Sequence, residues 1–178
     1  MLDIDETLVH SLYENKLKKY KTPDYKIYLD ESNSKIFVNK RPGVEIFLKT
    51  LAEFYELVIF TASLRTYADP LMDQMDPEGL CTSRLFRDHC SIVHGNYTKD
   101  LSRMNRSMKD IMILDNTPNA YMLQPGNAIP ITSWNGEPDD TELIELIPLF
   151  ILLSKIEDCR DAIEKFVFGN QCNIPLGK

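Results

Sequence analysis

Short apolar runs alternate with amphipathic stretches along the whole chain, and this rhythm predicts an α/β domain built on a mainly parallel sheet flanked by helices. "MLDID", "ELVIFTAS" and "DIMILDNTP" read as buried strands that close on polar residues: Asp3 and Asp5, Thr61 and Ser63, Asp115 and Asn116. After "RPG", Val44, Phe47, Leu48 and Leu51 recur at helical spacing. In "DTELIELIPLF" the residues Leu143, Leu146, Ile147 and Phe150 form one apolar face, behind a cap from Asp139, Asp140 or Thr141. A last helix is expected over about 158–168. Between the first strand and the "RPG" helix, "DYKIYLDESNSKIFVNKRP" alternates β-branched and aromatic residues around a polar turn, which predicts a β-hairpin insert at about 24–40. The expected organisation is one domain over 1–168 and a tail over 169–178.

In a parallel sheet covered on both faces, ligands sit outside the carboxyl ends of the strands. The three polar strand ends are therefore expected to meet in one crevice. Composition narrows what they could do. A chain of 178 residues, 43% hydrophobic, suits a single core. Its net charge of -7 and pI near 5.0 argue against a general nucleic-acid binder, so any phosphate should be held locally by a few cations and a metal. Cys81, Cys90, Cys159 and Cys172 show neither CxxC nor ligand spacing and read as reduced intracellular thiols. There is no signal-peptide pattern. The run "LIELIPLFILLSKI" contains Glu145 and Pro148 and falls short of the roughly 20 residues needed to cross a bilayer. A soluble chain is expected.

Asp3 and Asp5, at i and i+2 of an extended segment, share a face with Cα atoms about 6–7 Å apart. One carboxylate can attack phosphorus while the other serves the leaving oxygen. A bare DxD is also an ordinary solvated acidic segment, and other residues have to decide between the two. Phosphoryl transfer needs a nucleophile, positive charge near the phosphoryl oxygens and a proton donor. Asp115 and Asn116 supply hard oxygen ligands for Mg²⁺. Thr61 offers a hydroxyl, and Lys99 in "YTKDLS" a compact cation.

The blocks "DIDETLVHS", "VIFTAS" with "YADP", "LFRDHC", "GNYTKDLSR", "ILDNTP" and "SW" before "DTEL" resemble, in order, the small phosphatases of the RNA polymerase II C-terminal domain. These belong to the haloacid dehalogenase superfamily, in the group also called nuclear LIM-interactor-interacting factors. The resemblance covers roughly residues 1–155. It implies a Rossmann-like fold and a protein serine/threonine phosphatase with Asp3 as the nucleophile and Asp5 as acid, then base. It also implies Mg²⁺ between the Asp3 carboxylate, the Asp5 carbonyl and Asn116, with Asp115 beside it, and phosphate oxygens held by Thr61 and Lys99. The expected partner is a phosphorylated peptide such as the polymerase tail, met by a monomer in the nucleus or cytoplasm, without direct nucleic-acid contact and with no membrane segment in this chain.

Arg87 matches a family arginine near the phosphopeptide; the bland alternative is a surface ion pair. Tyr13, Leu64 and Tyr67 match positions around a proline-accepting pocket, with the insert from Tyr25 to Phe37 as its other wall; core packing is the alternative. His89, Cys90 and His94 lack a second ligand cluster and read as structural. The sequons at Asn96 and Asn105 read as chance. Two competing readings share the fold: a Dullard-type nuclear-envelope phosphatase acting on a lipid-metabolism enzyme, and a non-catalytic scaffold like a mitochondrial translocase subunit. The second predicts erosion of the catalytic set.

The resemblance also implies four or five apolar residues ahead of the first aspartate, where only Met1 and Leu2 stand. Further residues ahead of Met1 are therefore expected; the alternative is a first strand built differently here. With Met1 as the true start, Asp3 should be poorly held.

Overall fold

The computed structural model describes residues 1–13, 22–29 and 34–169. Its elements are β1 (Val9–Tyr13), β2 (Tyr25–Leu29), β3 (Ser34–Lys40), α1 (Val44–Ala52), β4 (Leu57–Phe60), α2 (Arg65–Met75), β5 (Cys81–Leu85), β6 (Ser91–Val93), β7 (Asn96–Thr98), β8 (Ile113–Asp115), β9 (Ala128–Pro130), α3 (Glu142–Leu153) and α4 (Cys159–Gly169).

The core is a parallel sheet. β4 pairs with β5 and β8 with β9, both parallel. Leu2 joins the two halves by parallel bridges to Ile59 and Leu114. Its N–H donates to the Val58 carbonyl at 2.9 Å and its own carbonyl accepts from Phe60, while Leu114 donates to Met1. The order is thus β5, β4, the opening segment, β8, β9, and the three polar strand ends lie side by side.

Helix α1 buries Val44, Phe47, Leu48 and Leu51, the face its spacing predicts. Gly43, before it, adopts φ 82°, a left-handed conformation that favours glycine, and a Cβ there would come within 2.6 Å of Ile144. Helix α3 buries Leu143, Leu146, Phe150 and Leu153. Phe47 meets Phe150 edge to face at 5.7 Å, which locks α1 to α3.

The insert differs from the expected hairpin. β2 and β3 pair antiparallel as predicted, but β1 pairs along the other edge of β3 and makes a three-stranded sheet in the order β1-β3-β2. The strand "VHSLY" directly follows the aspartate motif, and its partner lies some 30 residues on in sequence, beyond the reach of local periodicity. Part of the polar turn of the insert, the tail from 170 and Cys172 lie outside the described residues. A second small hairpin, β6–β7, turns through His94 and Gly95, both at positive φ (49° and 79°), as two-residue hairpins favour.

A cavity of about 550 Å³ opens between β4 and β8 at the amino ends of the strands, lined by Leu57, Val58, Ile111 and Met112 among others. It lies away from the polar strand ends.

Candidate functional site

The residues after Leu2 leave the sheet in a tight turn. Leu8 N–H returns to the Ile4 carbonyl at 2.8 Å and Glu6 N–H to the Val9 carbonyl at 2.8 Å. Glu6 adopts φ 57°, an uncommon left-handed conformation for a non-glycine residue. Trp134 N–H holds the Glu6 carbonyl at 2.7 Å. This turn sends Asp3 and Asp5 to different surroundings.

Asp3 is 7% exposed and held on both oxygens. Lys99 Nζ donates to its Oδ1 at 2.5 Å and the Thr7 hydroxyl to its Oδ2 at 3.0 Å. The expectation of a poorly held Asp3 is therefore not met in this structure. Lys99, wholly buried at the start of the segment after β7, also donates to Asp115 Oδ2 at 2.6 Å. Burial works against the lysine's charge, but Asp3 and Asp115 outweigh it and raise its pKa. One cation between two carboxylates leaves excess negative charge. Accordingly burial, and then the Asp3 charge, push Asp115 up to about 6, although Lys99 opposes the shift.

Asp5 faces the other way. Ser63 Oγ donates to its Oδ2 at 2.6 Å and Tyr67 OH to its Oδ1 at 2.9 Å. Its pKa is raised, chiefly by burial and further by the Asp3 charge; the hydrogen bonds from Ser63 and Tyr67 act in the opposite sense. Thr61, at the end of β4, is buried, and its Oγ1 accepts the Ser63 N–H at 3.0 Å. No described residue accepts the hydroxyl proton of Thr61.

Asn116 Oδ1 lies 3.2 Å from the same Thr7 hydroxyl that serves Asp3, and its amide nitrogen donates to Ser133 Oγ at 2.8 Å. A hydroxyl carries one proton and cannot satisfy both oxygens at once. Asp3 Oδ2, Asn116 Oδ1 and Asp115 are hard oxygen donors with surplus lone pairs, a set that fits a divalent cation. No group of three or more His, Cys, Asp or Glu side chains converges as a ready metal cage among the described residues. The Asp5 carboxylate is turned toward Ser63 and Tyr67, so a metal here would draw on amide and backbone oxygens as well.

The other predicted residues divide. Arg87 donates from Nε to the Ala62 carbonyl at 2.6 Å, next to Thr61, and its guanidinium stacks over Tyr97 at 5.0 Å. It has no carboxylate partner among the described residues, so the ion-pair alternative is not what the structure contains. Tyr13 and Leu64 are 57% and 53% exposed. Tyr67 is buried and hydrogen-bonds Ser11 on β1 as well as Asp5. From sequence Tyr67 reads as a pocket wall and Ser63 as a polar strand end; the structure makes both hydrogen-bond partners of Asp5, and sets Thr7 against Asp3 and Ser133 against Asn116. The one signal available was position: Ser63 follows the strand end, and Tyr67 stands one helical turn beyond it.

The model of the family described as NLI interacting factor-like phosphatase matches residues 1–160. A probable C-terminal domain small phosphatase of Dictyostelium discoideum is 44% identical over 167 residues, which cover 93% of this chain and 53% of the relative. Human carboxy-terminal domain RNA polymerase II polypeptide A small phosphatase 1 is 43% identical over 89% of this chain and 60% of its own length. The chain spans about half the length of the curated relatives it matches. In fold it is similar to Fcp1, an essential RNA polymerase II CTD phosphatase, with a TM-score of 0.62 at 18% identity over 99% of this chain and 54% of that one. Fission yeast Fcp1 bound to beryllium fluoride gives a TM-score of 0.60 at 17% identity over 97% and 54%. This likeness establishes the Fcp1-type fold. The chain belongs to the NLI interacting factor-like phosphatase family.

Proposed function

We propose that this chain is the catalytic domain of a Mg²⁺-dependent protein serine/threonine phosphatase that forms an aspartyl phosphate on Asp3. The observation that carries the reading is the split environment of two aspartates one residue apart: Asp3 paired with the buried Lys99 ammonium, and Asp5 held apart with a raised pKa. An ion-paired carboxylate suits a nucleophile, and a carboxyl that keeps its proton suits an acid.

In the first step an Asp3 oxygen attacks phosphorus and the bond to the seryl oxygen breaks as Asp5 gives that oxygen its proton. In the second, Asp5 takes a proton from water as the water oxygen attacks phosphorus; inorganic phosphate leaves and Asp3 is restored. Lys99 holds Asp3 in line and keeps positive charge beside the phosphoryl oxygens, and Thr61 has a hydroxyl proton to offer one of them. Mg²⁺ held by Asp3, Asn116, Asp115 and the Asp5 carbonyl would neutralise charge on the nucleophile and phosphoryl oxygens.

The proposed substrate is phosphoserine in an extended, proline-containing segment such as the RNA polymerase II tail, and the proposed setting is a nuclear monomer. The names of the relatives support the substrate. Exposed Tyr13 and Leu64 beside the site are the proposed wall for the proline ring. No helix of the described residues is long and apolar enough to cross a membrane.

Hydrolysis of p-nitrophenyl phosphate tests the reaction. Turnover should vanish on chelation and return with Mg²⁺, whereas a scaffold would show none under either condition. A phosphopeptide panel tests the substrate: equal rates with and without the adjacent proline would remove the pocket. Arg87→Ala should raise KM for phosphopeptide about tenfold and leave kcat within a few fold, since a hydrogen bond to a charged group contributes about 1.5–3 kcal/mol. Steady-state kinetics on the same peptide checks it.

A further inference from the structure

We propose that Arg41 is a positioning residue that sets the orientation of Asp3 and Asn116 by clamping the two backbone segments that carry their partners. The inference rests on the functional reading above and adds a residue that touches neither substrate nor the reacting atoms.

Arg41 follows β3 and is wholly buried. Its main chain is fixed, with its N–H on the Leu8 carbonyl at 2.9 Å. Every side-chain nitrogen is used. Nε and Nη2 grip Asp140 at 2.7 and 2.8 Å, and Nη2 also donates to Glu142 at 2.7 Å. Nη1 donates to the Thr7 carbonyl at 3.2 Å and to the Thr132 carbonyl at 3.0 Å.

Those last two bonds are informative. Thr7 is the residue whose hydroxyl lies against Asp3 Oδ2 and Asn116 Oδ1. Thr132 precedes Ser133, whose Oγ receives the Asn116 amide at 2.8 Å. One guanidinium nitrogen therefore holds the backbone of two segments whose side chains, Thr7 and Ser133, contact Asn116, and Thr7 contacts Asp3 as well. Asp140 and Glu142 neutralise the arginine and tie it to the start of α3.

A buried ion cluster is poorly explained by stability alone, because apolar residues of similar volume often stabilise a core as well or better. The planar five-donor fork of arginine, by contrast, fixes several acceptors at once, which the ammonium of lysine cannot do. Misplacing a reacting group by about 1 Å can cost about 100-fold in rate.

Two variants of the full chain test this: Arg41→Lys, and a triple variant that removes the charges together, Arg41→Met with Asp140→Asn and Glu142→Gln. The expected result for each folded variant is a kcat on p-nitrophenyl phosphate lower by 10-fold or more, with KM within about threefold of wild type. The Asn116 side-chain amide should also shift in a ¹H–¹⁵N spectrum recorded without metal. Triple-variant kcat at the wild-type level with an unmoved Asn116 amide would overturn the proposal and leave Arg41 a stability element. An inactive wild type would sink the functional reading. The Asn116 resonance would still decide the clamp, since it needs no turnover: a shift supports it and no shift rejects it.

Discussion

Asp3→Asn is expected to cut turnover of p-nitrophenyl phosphate about 10⁴-fold or more while the protein stays folded. Losing a covalent nucleophile outright costs on that order in enzymes of this kind of chemistry. An amide is a poor nucleophile toward phosphorus, and it also gives up the ion pair with Lys99. The fold should tolerate the change for a reason visible in the charge count. Lys99 keeps Asp115 as a partner at 2.6 Å, so no buried cation is orphaned. Removing one of two carboxylates that compete for a single cation also relieves Asp115, whose pKa is raised in part by Asp3. A melting temperature equal to or above that of wild type at neutral pH, alongside lost turnover, is the predicted pair of results. Residual turnover within tenfold of wild type would remove Asp3 from the mechanism.

Asp5→Asn should separate substrates by leaving group. A seryl oxygen leaves poorly without a proton, whereas p-nitrophenolate leaves unaided. Formation of the phosphoenzyme from phosphopeptide should fall about 10²–10⁴-fold, the usual contribution of a positioned acid. From p-nitrophenyl phosphate it should be far less affected. The second step loses its base with either substrate, so the aryl substrate should give a burst of nitrophenol followed by slow turnover. Stopped-flow absorbance measures both phases.

The pH dependence follows from the sign of the Asp5 shift. Its pKa is raised in the folded chain, chiefly by burial. The acid form thus persists above the range of an ordinary aspartate, and kcat/KM for phosphopeptide should fall as pH rises through that raised value. The same shift makes a stability statement. The stabilisation is fully present below the unfolded value of 3.8 and is lost as pH rises through the folded value. Asn mimics the protonated side chain, so Asp5→Asn should lose none of that stability above neutral pH.

Much of this was legible in the sequence, and the legible parts have a common physical basis. Strand ends and helix faces are local: the α1 face and the polar ends of the opening segment, β4 and β8 all follow from residues within a few positions of one another. Motif chemistry picked out Asp3, Asp5, Thr61, Lys99, Asp115 and Asn116, and the structure brings Asp3, Lys99 and Asp115 within hydrogen-bonding reach.

What escaped is non-local. β1 pairs with β3 across the insert, and no period in "VHSLY" names that partner. Arg41 stands in "RPG" with no acceptor near it in sequence, and its side-chain acceptors stand at 7, 132, 140 and 142. Tyr67 has the hydrophobic ring that a pocket needs, and its hydroxyl becomes informative only once α2 is set against Asp5. β6 and β7 are three residues each, too short for alternation to register.

Trapping the phosphoenzyme tests covalent catalysis by Asp3. The Asp5→Asn variant, which forms the intermediate from p-nitrophenyl phosphate but hydrolyses it slowly, should be quenched in acid, digested and mapped by mass spectrometry. A single hydroxylamine-labile phosphate is expected on the peptide containing Asp3. A phosphate on any other residue, or a nitrophenol burst with no phosphate on the protein, would contradict it.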